Sequence, residues 1–245
     1  MGGPAVSRRP EPGTDQQGDP GLTLAQAADE PFFRPEWVER NLDRIGEQLV
    51  EHAYLTGLAV GIGLLISLPV GIYAYRHRRA LAPVTWFAGF LYTIPSLALF
   101  AFLTAYTGLT TLTAEIGLVS YTLLILIRNV VAGLDGVPPD TKEAALGMGY
   151  TPRQLLWRVE LPLAFPVILA GIRVATVTII GLVTVTSLIG MGGLGKFILQ
   201  GIQRFFSTPI VVGATLSVLL ALLADGALLG LQRVLTPWSK ENKWA

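Results

Sequence analysis

Apolar residues are grouped in long stretches along this chain, and charged residues are concentrated between them. Two of the stretches contain no charged side chain, and three others contain only isolated ones. An α-helix needs about 20 apolar residues to cross the hydrocarbon core of a bilayer. The pattern therefore predicts five membrane-spanning helices, at 53–75, 81–103, 113–134, 162–188 and 208–231.

The chain before the first predicted span divides into two parts. Residues 1–34 are rich in Gly, Pro, Asp and Gln and lack apolar periodicity, so they are predicted to form a disordered tail. In 35–51, Trp37, Leu42 and Leu49 belong to apolar positions that recur at helical spacing among charged residues. This second part is predicted to be an amphipathic helix at the membrane interface or, equally, a solvated lead-in to the first span.

The composition excludes several classes of protein. Hydrophobic residues make up 51% of the chain and charged residues 14%, which is too apolar for an ordinary soluble domain. The net charge of +1 gives no reason to expect a nucleic-acid partner. With no cysteine and only two histidines, His52 and His77, neither a disulfide framework nor a metal site is expected.

Lysine and arginine are unevenly distributed between the predicted connections. The loops on one side contain only Lys196 and Arg204. Because basic residues are retained on the cytoplasmic side, the more basic side is predicted to be cytoplasmic. This orientation places the tail 1–34 outside the cell and makes 236–245 a cytoplasmic tail. The cytoplasmic basic residues are Arg76, Arg78, Arg79, Lys142, Arg153, Arg158, Arg233, Lys240 and Lys243.

A long polar connection, 138–160, lies on the basic side between the third and fourth predicted spans. Neighbouring helices do not need a connection of this length, which indicates that another protein binds here. Asp140 or Thr141 is predicted to cap a first helix that ends before Gly149. Thr151 is predicted to cap a second helix, with proline at its first position. The segment is therefore predicted to form a helix, turn, helix elbow in the cytoplasm.

The elbow and the start of the fourth span share a characteristic spacing of small, acidic and apolar residues. The residues concerned are Glu143, Ala144, Ala145, Gly149, Val159, Leu161 and Pro162. With valine where isoleucine is usual, this spacing resembles the EAA signature of ABC importer permeases. In that family the elbow is the coupling helix, which seats in a groove of the ATPase subunit. The resemblance implies that Glu143 makes a polar contact with the ATPase, that the alanines allow close packing and that Gly149 permits the turn. An ordinary amphipathic loop helix is the alternative.

Further segments between Trp37 and Pro237 resemble permeases for glycine betaine, carnitine, choline and related osmoprotectants. The resemblance implies an all-α polytopic membrane protein of the ABC importer permease type, with its five spans inside 52–235 and located in the bacterial cytoplasmic membrane. It also implies alternating access, a second permease subunit, identical or related, and an extracytoplasmic binding protein. ATP and Mg²⁺ would be bound by the ATPase subunit, and the chain itself is expected to bind no cofactor and to catalyse no reaction. The matching segments are 93–99, 128–129, 159–163, 170–173, 187–195 and 223–225.

Three ionisable residues within the predicted spans stand out: Arg128, Arg173 and Asp225. Such groups are costly in a membrane unless they are paired or wetted. Arg173 and Asp225 fall at similar depths, about 12 to 17 Å from the cytoplasmic end at 1.5 Å per residue. A structural ion pair between the fourth and fifth spans is therefore predicted, with a substrate contact as the alternative. Arg128 is expected to snorkel to the interface or to bind backbone carbonyls.

The solute path is less well marked in the sequence. A quaternary ammonium group is usually bound by aromatic faces through cation–π attraction, and no aromatic cage is evident. Tyr92, Thr93 and Ser96 in the second span are predicted to line the translocation path, although packing alone also explains them. By resemblance, selection of the solute is expected to reside mostly in the binding protein.

Other functions fit the sequence less well. The glycines of 190–196 approach a nucleotide-binding pattern, but Phe197 replaces the Ser or Thr that binds magnesium and no strand precedes them. This segment is expected to be an external turn near a gate or a plain flexible loop. An intramembrane hydrolase would need a nucleophile with a base, and an ion-coupled carrier would need more midplane carboxylates than Asp225. An importer of methionine or another small solute stays open, because the elbow does not specify the cargo.

Overall fold

The computed structural model describes residues 32–240, so the predictions for most of the tail 1–34 and for the last part of 236–245 fall outside the described residues. Within 32–240 the chain is helical and contains no strand, which confirms the all-α class. The helices are α1 Pro35–Arg40, α2 Leu42–Arg76, α3 Arg78–Thr93, α4 Ser96–Thr107, α5 Thr111–Asp135, α6 Pro139–Gly147, α7 Pro152–Leu155, α8 Leu161–Thr186, α9 Gly195–Gln203 and α10 Ser207–Leu235.

Four helical segments are long and apolar enough to cross a bilayer. They are α2, α5, the continuous segment Pro152–Ile189 that contains α8, and α10. The pair α3 and α4 meets the same criterion only when both helices are counted together as one bent span. The architecture is therefore a multi-span membrane bundle with four straight spans and a fifth that is broken.

The second predicted span, 81–103, consists of parts of two helices and is not a single helix. Helix α3 ends at Thr93, α4 begins at Ser96, and the two axes meet at 92°. The proline ring of Pro95 disfavours the helical conformation of the residue before it, and Ile94 is extended, with φ −65° and ψ 127°. The freed carbonyl of Ile94 accepts a hydrogen bond from the hydroxyl of Tyr121 on α5. The bend is thus fixed by a proline and stabilised by a neighbouring span.

Helices α2, α5 and α8 form the centre of the bundle, and glycines bring their backbones close together. A Cβ atom at Gly63 of α2 would collide with the side chain of Thr122 on α5, and one at Gly71 would collide with Val130. Both contacts advance in the same direction along the two helices, so α2 and α5 run parallel. First and third spans run parallel when the second span between them crosses the membrane in the opposite direction.

The segment 35–51 is divided between two helices. Helix α1 ends at Arg40, whereas α2 begins at Leu42 and continues without a break into the first span. The charged turns at the start of α2 are therefore helical and continuous with the first span. Helix α1 lies at the end of the bundle where α2 begins, and there the ring of Trp37 packs edge-on against Phe197 at 5.7 Å and Phe206 at 6.2 Å.

Candidate coupling and translocation sites

The first helix of the elbow begins two or three residues earlier than predicted. Helix α6 starts at Pro139, and Pro138 occupies its N-cap without any side-chain hydrogen bond. The prediction that Asp140 or Thr141 caps this helix is therefore wrong. Proline suits the first helical position because an N–H at that position would have no partner within the helix. Asp140 lies in the first turn, where its negative charge interacts favourably with the positive end of the helix dipole.

The end of α6 is a tight, left-handed turn. Gly149 has φ +87°, a conformation that residues with a Cβ rarely adopt. The N–H of Tyr150 donates to the carbonyl of Ala145 at 3.1 Å, and the N–H of Gly149 donates to that of Leu146 at 2.9 Å. This pair of bonds is the Schellman arrangement. It stops α6 cleanly and reverses the chain, which is the turn that the sequence assigns to Gly149.

The second arm of the elbow starts with a capping box. The backbone N–H of Gln154 donates to the hydroxyl of Thr151 at 3.3 Å, and the side-chain oxygen of Gln154 accepts from the N–H of Thr151 at 2.9 Å. Helix α7 then passes through a π-helical turn, Leu156–Glu160, into α8. The elbow is thus continuous with the fourth span, so a displacement of the elbow is carried directly into that span.

The signature residues do not all face the same way. Glu143 and Ala144 are exposed on α6, whereas Ala145 is 2% exposed and packs within the chain. Only Ala144 of the two alanines is therefore accessible to another protein. Leu161 and Pro162 are half-buried and line a cavity of about 460 Å³ at the start of α8, together with Trp157 and other apolar side chains.

A polar network that the sequence did not predict ties the elbow to two spans. The ammonium of Lys142 on α6 donates to the hydroxyl of Tyr75 at 2.9 Å and to the carbonyl of Leu134 at 3.2 Å. Tyr75 in turn donates to Oε1 of Glu160 at 2.7 Å, and Lys142 Nζ lies 3.7 Å from the same oxygen. Because Tyr75 lies at the C-terminal end of α2 and Glu160 directly precedes α8, one lysine connects the elbow to the first and fourth spans.

Two further contacts stabilise the end of the bundle next to the elbow. A guanidinium nitrogen of Arg76 donates to the carbonyl of Pro152 at 2.9 Å, which holds the second arm against the end of α2. Arg78 forms a two-bond ion pair with Asp135 at the end of α5. The elbow, the end of α2, the start of α3 and the end of α5 therefore form one connected layer.

Arg173 and Asp225 lie side by side between α8 and α10. Arg173 Nε is 2.8 Å from Asp225 Oδ1, and Arg173 Nη2 is 2.8 Å from Oδ2, so the guanidinium and carboxylate planes make two parallel bonds. This bidentate geometry is the strong form of an Arg–carboxylate contact. The pair borders a cavity of about 360 Å³ whose other lining residues carry no charge.

The predicted path residues are brought together in part. Tyr92 packs edge-on against Tyr121 of α5, with ring centroids 5.7 Å apart, and Thr93 donates to the carbonyl of Phe90 at 2.8 Å. Tyr92 and Thr93 line one cavity of about 460 Å³, which they share with Arg128. Ser96 lies beyond the bend, at the first position of α4, and does not line this cavity.

The glycine-rich segment 190–196 is held at the opposite end of the bundle from the elbow. Gly190 and Gly193 adopt left-handed conformations, with φ +75° and +84°. His52 of α2 fixes the segment, because its Nδ1 accepts the N–H of Leu194 at 3.2 Å. Its Nε2 lies 3.0 Å from the carbonyl of Ile180, to which it must donate, so the ring is neutral with the proton on Nε2. This loop is anchored to the first and fourth spans.

Replacing His52 with Phe is expected to destabilise the protein. The substitution preserves a flat ring but leaves the buried N–H of Leu194 without an acceptor, which costs about 1 to 3 kcal/mol. Thermal unfolding of the detergent-solubilised protein measures this loss. His77→Phe is the matched control, because His77 is exposed and its ring stacks on Tyr73 at 4.5 Å, a contact that Phe keeps. Equal unfolding temperatures for the two variants would contradict the assignment.

Glu115, like His52, was not predicted from the sequence to have a particular role. It lies in the first turns of α5, is buried, and neither carboxylate oxygen has a hydrogen-bond partner within residues 32–240. The spacing that pairs Gly63 with Thr122 places Thr56 of α2 opposite Glu115. The hydroxyl of Thr56 is also buried and unpaired in the described part of the chain. Two unsatisfied polar groups thus share the part of the α2–α5 interface that is farthest from the elbow.

Comparison with known proteins agrees with this architecture. The chain is 40% identical over 192 residues to the osmoprotectant import permease protein OsmW of Salmonella typhimurium, an alignment that covers 76% of this chain and 89% of that one. It is 35% identical over 187 residues to the glycine betaine/carnitine/choline transport system permease protein OpuCB of Bacillus subtilis, covering 76% and 86%.

Among solved structures, an inward-facing crystal form of the MetNI methionine ABC transporter superposes with a TM-score of 0.70. The sequences are 25% identical, and the superposition covers 83% of this chain and all of that one. The model of the family described as binding-protein-dependent transport system inner membrane component matches residues 63–237. This match includes the elbow and all the spans except the part of α2 before Gly63. The chain therefore belongs to the family of binding-protein-dependent transport system inner membrane components, and it is a permease subunit, not an enzyme.

Proposed function

We propose that this chain is the membrane-spanning subunit of an ATP-driven importer of compatible solutes such as glycine betaine, choline, carnitine or proline betaine. The observation that carries the choice of cargo is the identity of 35 to 40% to permeases named for osmoprotectants, glycine betaine, carnitine and choline. These alignments extend over 76% of the chain, so they include the spans and not the elbow alone.

The elbow is the site through which the ATPase drives transport. Glu143 and Ala144 are exposed for contact with the ATPase subunit, and Lys142 connects the same helix to Tyr75 and Glu160. Closure of the ATPase dimer on ATP moves the elbow, and the network passes this displacement to the first and fourth spans. The bundle then alternates between outward-facing and inward-facing states, as alternating access requires.

Partners follow from this role. ATP and Mg²⁺ are bound by the ATPase subunit, and an extracytoplasmic binding protein delivers the solute. A second permease subunit, identical or related, completes the path, because one small bundle cannot enclose it. The elbow faces the cytoplasm and the amino terminus lies outside, as the distribution of lysine and arginine favours.

Uptake of labelled solute tests the cargo. Cells that lack other osmolyte importers but express the complete transporter should accumulate glycine betaine or choline, and unlabelled carnitine or proline betaine should compete. Uptake should stop when the binding protein is omitted. A transporter that takes up neither solute but is active with methionine would overturn the assignment in favour of the other cargo, although the likeness to a methionine transporter supports the shared fold only.

A further inference from the structure

Arg128 has no partner of its own within the described chain. It lies in the membrane-spanning helix α5 and is exposed on the surface of the single subunit, and it forms no hydrogen bond or ion pair within 32–240. Of the two expectations for Arg128, the described residues show no bond to a backbone carbonyl, and snorkelling to the interface stays a prediction. Arg173 shows the contrast, because Asp225 neutralises it. An unpaired charge at this depth is typically retained for a ligand or a wet pathway.

The cavity beside Arg128 is lined by aromatic rings. Trp86 and Phe90 lie one turn apart on α3, with ring centroids 6.0 Å apart and planes only 13° from parallel. The two residues are 72% and 53% exposed, so their rings are accessible from the cavity. Tyr92 and Thr93 also line it. All three rings lie on α3, and the packing of α3 on α5 places Arg128 beside them.

The rings and the guanidinium lie at the same depth in the bundle. Arg128 precedes the inner end of α5, Asp135, by seven residues, which is about 10 Å at 1.5 Å per residue. Trp86 follows the inner end of α3, Arg78, by eight residues, which is about 12 Å. A small solute in this cavity of about 460 Å³ can therefore contact both kinds of group at once.

The two kinds of group are complementary to the two ends of one class of solute. Aromatic faces attract a quaternary ammonium group, and a guanidinium binds a carboxylate with two parallel hydrogen bonds. No Asp or Glu lines the cavity to neutralise Arg128 or to hold a cation by itself. The hydroxyl of Thr93 donates its hydrogen bond to the carbonyl of Phe90, so it does not compete with Arg128 for the carboxylate of a solute.

We propose that this cavity between α3 and α5 is a transport-path binding site for zwitterions that carry a quaternary ammonium and a carboxylate. Trp86 and Phe90 contact the ammonium group, and Arg128 contacts the carboxylate. This site rests on the proposed function, and it adds that the permease itself discriminates between solutes within the membrane. Glycine betaine satisfies both contacts, whereas choline, which has no carboxylate, satisfies the aromatic contact only.

Relative uptake of these two solutes tests the site, because choline serves as an internal reference. Both are measured with the complete transporter in cells that lack other osmolyte importers, and rates are divided by the amount of permease in the membrane. Arg128→Gln is expected to lower glycine betaine uptake about tenfold more than choline uptake, since a charge-assisted hydrogen bond is lost for one solute only. Arg128→Lys keeps the charge and should give a smaller difference. Arg233→Gln, at the exposed inner end of α10, should change neither rate.

The aromatic surface is tested separately with Trp86→Leu, which keeps the apolar bulk and removes the π face. Uptake of both solutes should fall together, and Trp86→Phe should recover most of it. If Arg128 only binds lipid phosphate at the membrane surface, Arg128→Gln will change the two rates equally or not at all, and the site is overturned while the cargo stands. If the wild-type transporter takes up neither solute, the cargo and the site are overturned together.

Discussion

Replacing Glu143 with Lys is expected to abolish solute uptake and association with the ATPase subunit while the variant still inserts into the membrane. Glu143 is exposed on α6 and makes no ion pair within residues 32–240, so its removal leaves the described chain intact. In the proposed coupling contact, a positive charge would replace the carboxylate that faces the ATPase, which costs several kcal/mol. The loss of ATPase association should therefore be about a hundredfold or more.

Copurification of the ATPase with tagged permease and uptake of labelled solute measure the two effects together. Glu39→Lys is the matched control, because Glu39 is also exposed on a short helix but lies on α1, at the opposite end of the bundle. This control makes the same change of charge and should leave both measurements unaltered. Normal uptake by Glu143→Lys would contradict the coupling role of the elbow.

Replacing Asp225 with Asn is expected to lower the amount of folded permease in the membrane several-fold. The substitution leaves the guanidinium of Arg173 between α8 and α10 without its carboxylate, and an unpaired charge inside a bundle is more costly than no charge. Because changes in stability alter cellular abundance, immunoblots of membrane fractions measure the effect. The double variant with Arg173→Gln removes both charges and should restore much of the abundance.

The comparison of single and double variants separates a structural pair from a solute contact. A structural pair predicts strong non-additivity, with the double variant more abundant than Asp225→Asn alone and still active in uptake. A double variant that is abundant but inactive would mean that the pair contacts the solute. Wild-type abundance for Asp225→Asn would contradict a structural role.

The positions of the spans could be predicted because a bilayer imposes one simple requirement, a long run of apolar residues. The bend in the second span could not be predicted in this way, because one tilted helix and two joined helices have the same apolar composition. Pro95 was the available signal, because a proline disfavours a helical residue before it, and Ile94 is extended in the structure. Uncharged composition alone could not show that Ser96 belongs to a separate helix.

The turn of the elbow could be predicted from the sequence, whereas the contacts of the elbow with the spans could not. Gly149 and Thr151 act locally, through backbone conformation and capping, so their roles follow from neighbouring residues. The network of Lys142, Tyr75 and Glu160 joins three distant parts of the chain and depends on the packing of α2 against α6 and α8. His52 was overlooked for the same reason.

Labelling of single cysteines tests the orientation of the elbow most directly, and the chain contains no native cysteine to interfere. Met148→Cys places an exposed thiol on the elbow, and Leu109→Cys places one between α4 and α5, at the other end of the bundle. A membrane-impermeant maleimide should label Met148→Cys in inside-out vesicles only and Leu109→Cys in right-side-out vesicles only. Labelling of Met148→Cys from the outer face would place the elbow beyond the reach of any cytoplasmic ATPase and contradict its coupling role.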